Sequence, residues 1–182
     1  LGHQRIGVVG GSSESSVGLE RLEGGKKALE AYGVEQREEY FLGGNFLKES
    51  GYQGGKRFLQ MAEPPSAIFA TNDYMAIGVY QALVEEGVKV PEEIALIGFN
   101  DIELSGIRGI DLSTIGQKKF EMGTVAVELL VKRIEGGESG PPKEILLKPE
   151  LVIRKTCGYH LKGYQRESKC LNGVRFEVYP PS

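Results

Sequence analysis

The stretch Ser66 to Gly78 limits the fold of this chain more than any other: Ser-Ala-Ile-Phe-Ala-Thr-Asn-Asp-Tyr-Met-Ala-Ile-Gly. Pro64 and Pro65 punctuate its start, and Ala67 to Ala70 is an apolar run without alternation. That is the pattern of a strand covered on both faces. Thr71, Asn72 and Asp73 are helix-capping types, and Met75, Ile77, Val79 and Leu83 follow at helical spacings up to Gly87. A strand therefore feeds directly into a helix, with polar side chains at the junction. In open parallel sheets, ligands bind at such carboxyl-end junctions. Taken alone, Asn72 and Asp73 read as helix caps, which helix starts prefer in any case.

The same strand-to-helix alternation recurs along the chain. Arg5 to Gly10 reads as a strand, followed by the Gly10-Gly11-Ser12-Ser13 loop and a helix over 17–32 that Gly33 ends. The loop lacks both Gly-x-Gly-x-x-Gly spacing and a Gly-Lys-Ser/Thr ending, which argues against a nucleotide site. Residues 36–41 read as a polar edge strand leading to Gly43-Gly44-Asn45-Phe46 and a helix over 48–61. Gly51, Gly54 and Gly55 weaken that helix intrinsically, so packing must hold it. A helix over 74–87 precedes a buried strand over 94–99, which ends in Asn100-Asp101. After a short extended piece within 111–117 comes a helix over 118–135, stopped by Gly136-Gly137. Ile145 to Leu147 and Leu151 to Ile153 are strand-like pieces split by Pro149. The expectation is an α/β fold of three layers: a doubly wound, mostly parallel sheet of the flavodoxin-like kind, with right-handed crossovers.

Three expected strands end in Asn45, Asn72-Asp73 and Asn100-Asp101. Side by side, they bring fixed hydrogen-bonding groups to one rim, as recognition of a hydroxyl- or amide-rich ligand requires. The net charge of −3 leaves no electrostatic footprint for nucleic acid, and no apolar run is long enough to span a bilayer. Cys157 and Cys170 are too few for a disulfide framework, which points to a reduced cytoplasmic setting and leaves one bridge between them open. From Gly158 the composition shifts. Residues 158–182 carry four basic and two acidic side chains on a chain that is otherwise acidic, and Val174 to Tyr179 alternates like a half-buried strand. No function follows for that tail from its residues.

Several motifs together carry a resemblance. They are Arg21-x-x-Gly24, Gly44-Asn45-Phe46, the Ala67 to Gly78 stretch, and Val90-Pro91-Glu92-Glu93-Ile94-Ala95-Leu96-Ile97-Gly98-Phe99-Asn100-Asp101. Leu112-Ser113-Thr114-Ile115-x-Gln117 and Glu150-Leu151-Val152-Ile153-Arg154 complete the set. Over about residues 3–157 the chain resembles the C-terminal part of the effector-binding core of the lactose-repressor (LacI/GalR) family of bacterial transcription regulators. The resemblance implies two doubly wound subdomains with a small effector in the cleft between them, of which 1–157 would be the second. The helix over 118–136 would pack on the first subdomain. It implies a homodimer, and operator DNA bound only through a helix-turn-helix headpiece that this chain lacks. Carried onto this sequence, Arg21 would be a forked donor to the effector and Phe46 an aromatic plate. Asn72 and Asp73 would form a polar rim, and Gln117 a contact near the crossover. Asn100 stands where many relatives place an Asp that holds sugar hydroxyls, so an amide replaces a negative acceptor.

The reading this supports is a small-molecule sensor, for a sugar-like or nucleobase-like effector, with no catalytic residue, cofactor or metal. A periplasmic sugar-binding protein of a transporter would share the fold. An enzyme could be built from Asp73, Asp101 and Asp111, but no His stands beside them in sequence and no Gly-x-Ser-x-Gly elbow is present.

Overall fold

The computed structural model describes residues 1–137, 139–162, 170–171 and 174–178. The sheet starts with β1 (Ile6–Val9), β2 (Phe41–Leu42), β3 (Ala67–Ala70), β4 (Ala95–Asn100), β5 (Ser113–Gly116) and β6 (Glu150–Ile153). The helices are α1 (Ser16–Ala31), α2 (Lys48–Leu59), α3 (Asp73–Glu85) and α4 (Lys119–Ile134). Spatial order is β2-β1-β3-β4-β5-β6, parallel throughout except for the antiparallel β5–β6 pair. This is the doubly wound α/β fold expected from the strand-to-helix alternation. From the tail, β7 (Cys170–Leu171) and β8 (Val174–Val178) extend the sheet, with β8 parallel to β6. Tyr179 and the side chain of Cys170 lie outside the described residues, and Cys157 is a free thiol.

Period-two alternation sorts the strand residues onto two faces. Val9, Ile68, Ala70 and Leu96 join Phe58 of α2 and Met75, Val79 and Leu83 of α3 in the main core. The α2 glycines are what let those helices meet. A Cβ on Gly51 would collide with the Met75 backbone, and one on Gly55 would press on Ala82 and Val79. The helix is weak alone and well held in place, as close packing at a small-residue crossing allows. On the opposite face α1 lies near β3, where Phe69 touches Gly25. The rest of that face forms an apolar groove of about 380 Å³, lined in part by Ile6, Phe69, Ile97, Leu151 and Ile153.

Two local expectations are corrected. The strand over 36–41 shrinks to Phe41–Leu42, preceded by a 3-10 turn at Glu38–Tyr40. Tyr40 swings fully into the interior and its hydroxyl donates to the Glu63 carbonyl (2.7 Å), while Arg37 pairs with Glu35 and Glu63. These side-chain partners suit a turn better than a ladder. Residues 145–147 form no strand, because β6 already occupies the position beside β5; Ile145 and Leu146 are left exposed. Helix α4 has no buried residue at all. Among the described residues no helix is long and apolar enough to cross a membrane.

Candidate functional site at the carboxyl rim of the sheet

The strand order reverses between β1 and β3, and a ligand crevice in such sheets lies outside the strand carboxyl ends at that reversal. Five strand exits share this rim: Gly10–Ser13 after β1, Gly43–Phe46 after β2, Thr71–Asp73 after β3, Asn100–Ile102 after β4 and Gly116–Gln117 after β5. Asn100 pairs with Gly116 across β4–β5, so Gln117, which is exposed, lies one step beyond Asn100 on the same rim.

Arg21 reaches this rim from α1. Its Nη1 donates to the Thr71 carbonyl (2.8 Å) and its Nη2 to Asn100 Oδ1 (3.0 Å). The guanidinium lies 4.0 Å from the centre of the Phe99 ring, a cation–π contact. Partial burial lowers its pKa, and the nearby Asp73 carboxylate opposes that shift. Arg21 is thus a half-buried, fixed cation and not a solvated surface charge.

Asn72 is the N-cap of α3, and its Oδ1 accepts from Met75 N (2.9 Å). Its Nδ2 donates to the Phe46 carbonyl (2.8 Å), so both ends of the amide are engaged inside the protein. Phe46 sits at φ +66 with its ring against Gly11 and Gly18, a half-buried plate beside the first loop. Asp73 departs from the rim contact expected of it. It is 0% exposed; Oδ2 accepts from Ile102 N (2.9 Å) and Ser105 Oγ (2.8 Å), and Oδ1 from Thr114 Oγ1 (2.6 Å). A carboxylate with that many internal donors is a bracket joining α3, β5 and the loop after β4. The lack of a Cβ on Gly98 makes room for it.

That bracket faces a strained turn. Asn100 and Asp101 take φ +118 and +50, conformations that Asn and Asp tolerate better than most residues. Arg154 Nη2 donates to Asp101 Oδ1 (2.8 Å) while its Nη1 donates to the Leu112 carbonyl (2.8 Å). Lys119 Nζ donates to the Asp101 carbonyl (2.7 Å). Phe99 and Arg154 are parts of the site that sequence reasoning missed, while Asp101 was expected on the rim but its pairing with Arg154 was not. Phe99 alternates with Ile97 on the face towards α1, which was a usable signal; Arg154 stands 53 residues from its partner and gives none. Asp73, Asp101 and Asp111 do not gather into a reactive set, since they pair with Ser105 and Thr114, with Arg154 and with Lys155 respectively. Among the described residues no group of three or more His, Cys, Asp or Glu is placed to hold a metal ion.

Residues 1–157 match the model of the periplasmic binding protein-like domain. The chain belongs to that family, in its LacI/GalR branch. This LacI-type domain is 38% identical over 157 residues to the HTH-type transcriptional repressor PurR of Haemophilus influenzae, covering 85% of this chain and 47% of that protein. Among solved structures it superposes on the Escherichia coli transcriptional repressor ascG with a TM-score of 0.78 at 35% identity, covering 85% of this chain and 56% of the other. It also superposes on a Lac repressor dimer bound to operator and the anti-inducer ONPF, with a TM-score of 0.75 at 30% identity over 86% and 53% of the two chains. The LacI-type domain thus spans about half the length of the relatives it matches.

Proposed function

We propose that residues 1–157 are the effector-sensing half of a LacI-type bacterial transcription regulator that works in the cytoplasm, binds a small molecule and catalyses no reaction. The observation that carries this reading is the Arg21–Asn100–Phe99 cluster at the sheet reversal. A cation, an amide and an aromatic plate are preorganised there by internal bonds, as a specific ligand site requires. Arg21, Phe46, Asn100 and Gln117 face the effector, while Asn72 and Asp73 hold the loops that carry them. Sensing needs a second subdomain to close over this rim, and the exposed apolar stripe of α4 is the surface that would join it. Operator binding belongs to a helix-turn-helix headpiece outside these residues, and the regulator is a homodimer. Closure shifts a two-state equilibrium that the headpiece reads, which requires only that the effector bind the two states unequally.

The test is a titration of the full-length regulator with a panel of sugars and nucleobases, read by calorimetry and by operator release. Arg21→Ala is expected to abolish the effector response and leave operator affinity within about threefold, under ~1 kcal/mol. An Arg21→Ala protein that still responds at unchanged effector concentration overturns the assignment of the cleft.

A further inference from the structure

The hydrogen-bond inventory of this rim is one-sided. Its strongest acceptors are consumed internally: the Asp73 carboxylate by Ile102, Ser105 and Thr114, the Asn72 oxygen by Met75 N, and the Thr71 and Phe46 carbonyls by Arg21 and Asn72. Asp101 is neutralised by Arg154. Asn45 Oδ1 accepts from Leu47 N, so its Nδ2 is the end left over. The decisive group is Asn100. A guanidinium only donates, so the end of the amide facing Arg21 must be oxygen, and Nδ2 is the end left for a ligand. Arg21 itself engages two of its five N–H donors, one on each Nη. The charge is one-sided too, with Arg21, Arg154 and Lys119 set against Asp73 and Asp101.

We infer that this site takes an acidic small molecule, of the sugar-acid or sugar-phosphate kind, whose anionic oxygens accept from Arg21 and from Asn100 Nδ2. The inference rests on the effector-cleft reading above and adds the class of ligand. A neutral polyol must find acceptors for its own hydroxyl protons, and the side-chain oxygens of Asn45, Asn72, Asp73 and Asn100 are already used, which leaves it the Gln117 amide and the second oxygen of Asp101. A carboxylate or phosphate brings acceptors only and meets a planar fork suited to it. The ring of Phe99 beneath the guanidinium keeps that fork flat against the rim.

The experiment is calorimetry on the full-length regulator with matched probes: glucose against gluconate and glucose 6-phosphate, and ribose against ribonate and ribose 5-phosphate. The wild type is expected to bind one of the anions at least tenfold more tightly than its parent sugar. Asn100→Asp, which preserves size, places a carboxylate against Arg21 and is expected to remove that preference. Equal or tighter binding of the parent sugar, an Asn100→Asp variant with the anion preference intact, or no binding by any probe each overturns the inference. An Arg21→Ala control separates the two levels. If the wild type shows no anion preference but Arg21→Ala weakens its binding of the parent sugar, the ligand class is refuted and the cleft kept; binding untouched by Arg21→Ala refutes the cleft itself.

Discussion

Asp73 is the residue on which the rim turns, although it is fully buried and both its oxygens are bonded inside the protein. Replacing it with Asn keeps the shape but removes the charge that Ser105, Thr114 and Ile102 N are arranged to meet. Urea denaturation of Asp73→Asn is expected to show a loss of about 2–3 kcal/mol, since hydrogen bonds to a charged partner are the costly ones to weaken. A midpoint unchanged from wild type would mean the bracket contributes nothing. A surface carboxylate behaves differently. Hydrogen bonding to Arg37 holds Glu63 below its ordinary pKa of 4.5. A depressed acid stabilises the folded state above its unfolded pKa, and that contribution disappears as pH falls through the folded value. The thermal midpoint of Glu63→Gln should therefore trail wild type slightly at pH 7 and converge with it as the pH falls below 4.5 and on through the folded value. A gap that widened on acidification would refute the pairing. At this scale Asn72 was legible from its capping position and Asn100 from the end of its strand, whereas the place of Arg21 came only from the family resemblance. The inward turn of Asp73 was not legible, because its partners Ser105 and Thr114 lie 32 and 41 residues away and nothing local announces them.

Between helices, packing decides the sign of a substitution that propensity would score alike. Gly24 of α1 has nothing within 4 Å of a built Cβ, whereas Gly51 of α2 meets the Met75 backbone. Gly24→Ala should stabilise the protein by about 0.5–1 kcal/mol, the usual helical gain over glycine. Gly51→Ala should destabilise it by more than that gain, by about 1–3 kcal/mol, as overpacking does. Denaturation of the two variants checks both, and equal shifts would contradict the crossing. The α2 glycines were visible as a weakness, but their use was not, since a close approach is a property of two helices and not of one. The main helices were legible from their apolar spacing, and the β3 and β4 strands from short unbroken apolar runs that end in capping residues. The failures at 36–41 and 145–147 have different causes: β1 leaves Ile6 and Gly7 without a β2 partner, so it is side-chain partners that draw 38–40 into a turn, whereas the place beside β5 that 145–147 could take is already filled by β6. The turn at Glu38–Tyr40 is settled by Tyr40 and Arg37, whose partner Glu63 is distant in sequence.

Among the described residues, α4 carries an apolar stripe that the core does not cover. Phe120, Val127, Val131 and Ile134 recur at helical spacing along α4, and Phe120 is 89% exposed. Such a stripe favours association. Small-angle scattering of this chain over a concentration series should show self-association that Phe120→Glu with Ile134→Glu reduces. A monomer unchanged at every concentration would leave the stripe without consequence. The path by which the chain reaches α4 matters as much as the stripe. Gly116 and Glu150 are register partners in the antiparallel β5–β6 pair, so everything between them leaves the sheet and returns at a single point. Lys118 and Glu150 clasp the two limbs there, 3.0 Å apart. A body attached through α4 would hang on a double tether anchored at one spot, free to swing about it without disturbing the core. For the same reason residues 117–149 form a cassette. Joining Gly116 to Glu150 through a two-residue turn would convert the exit into a simple hairpin, at the cost of the Lys119 bond to the Asp101 carbonyl.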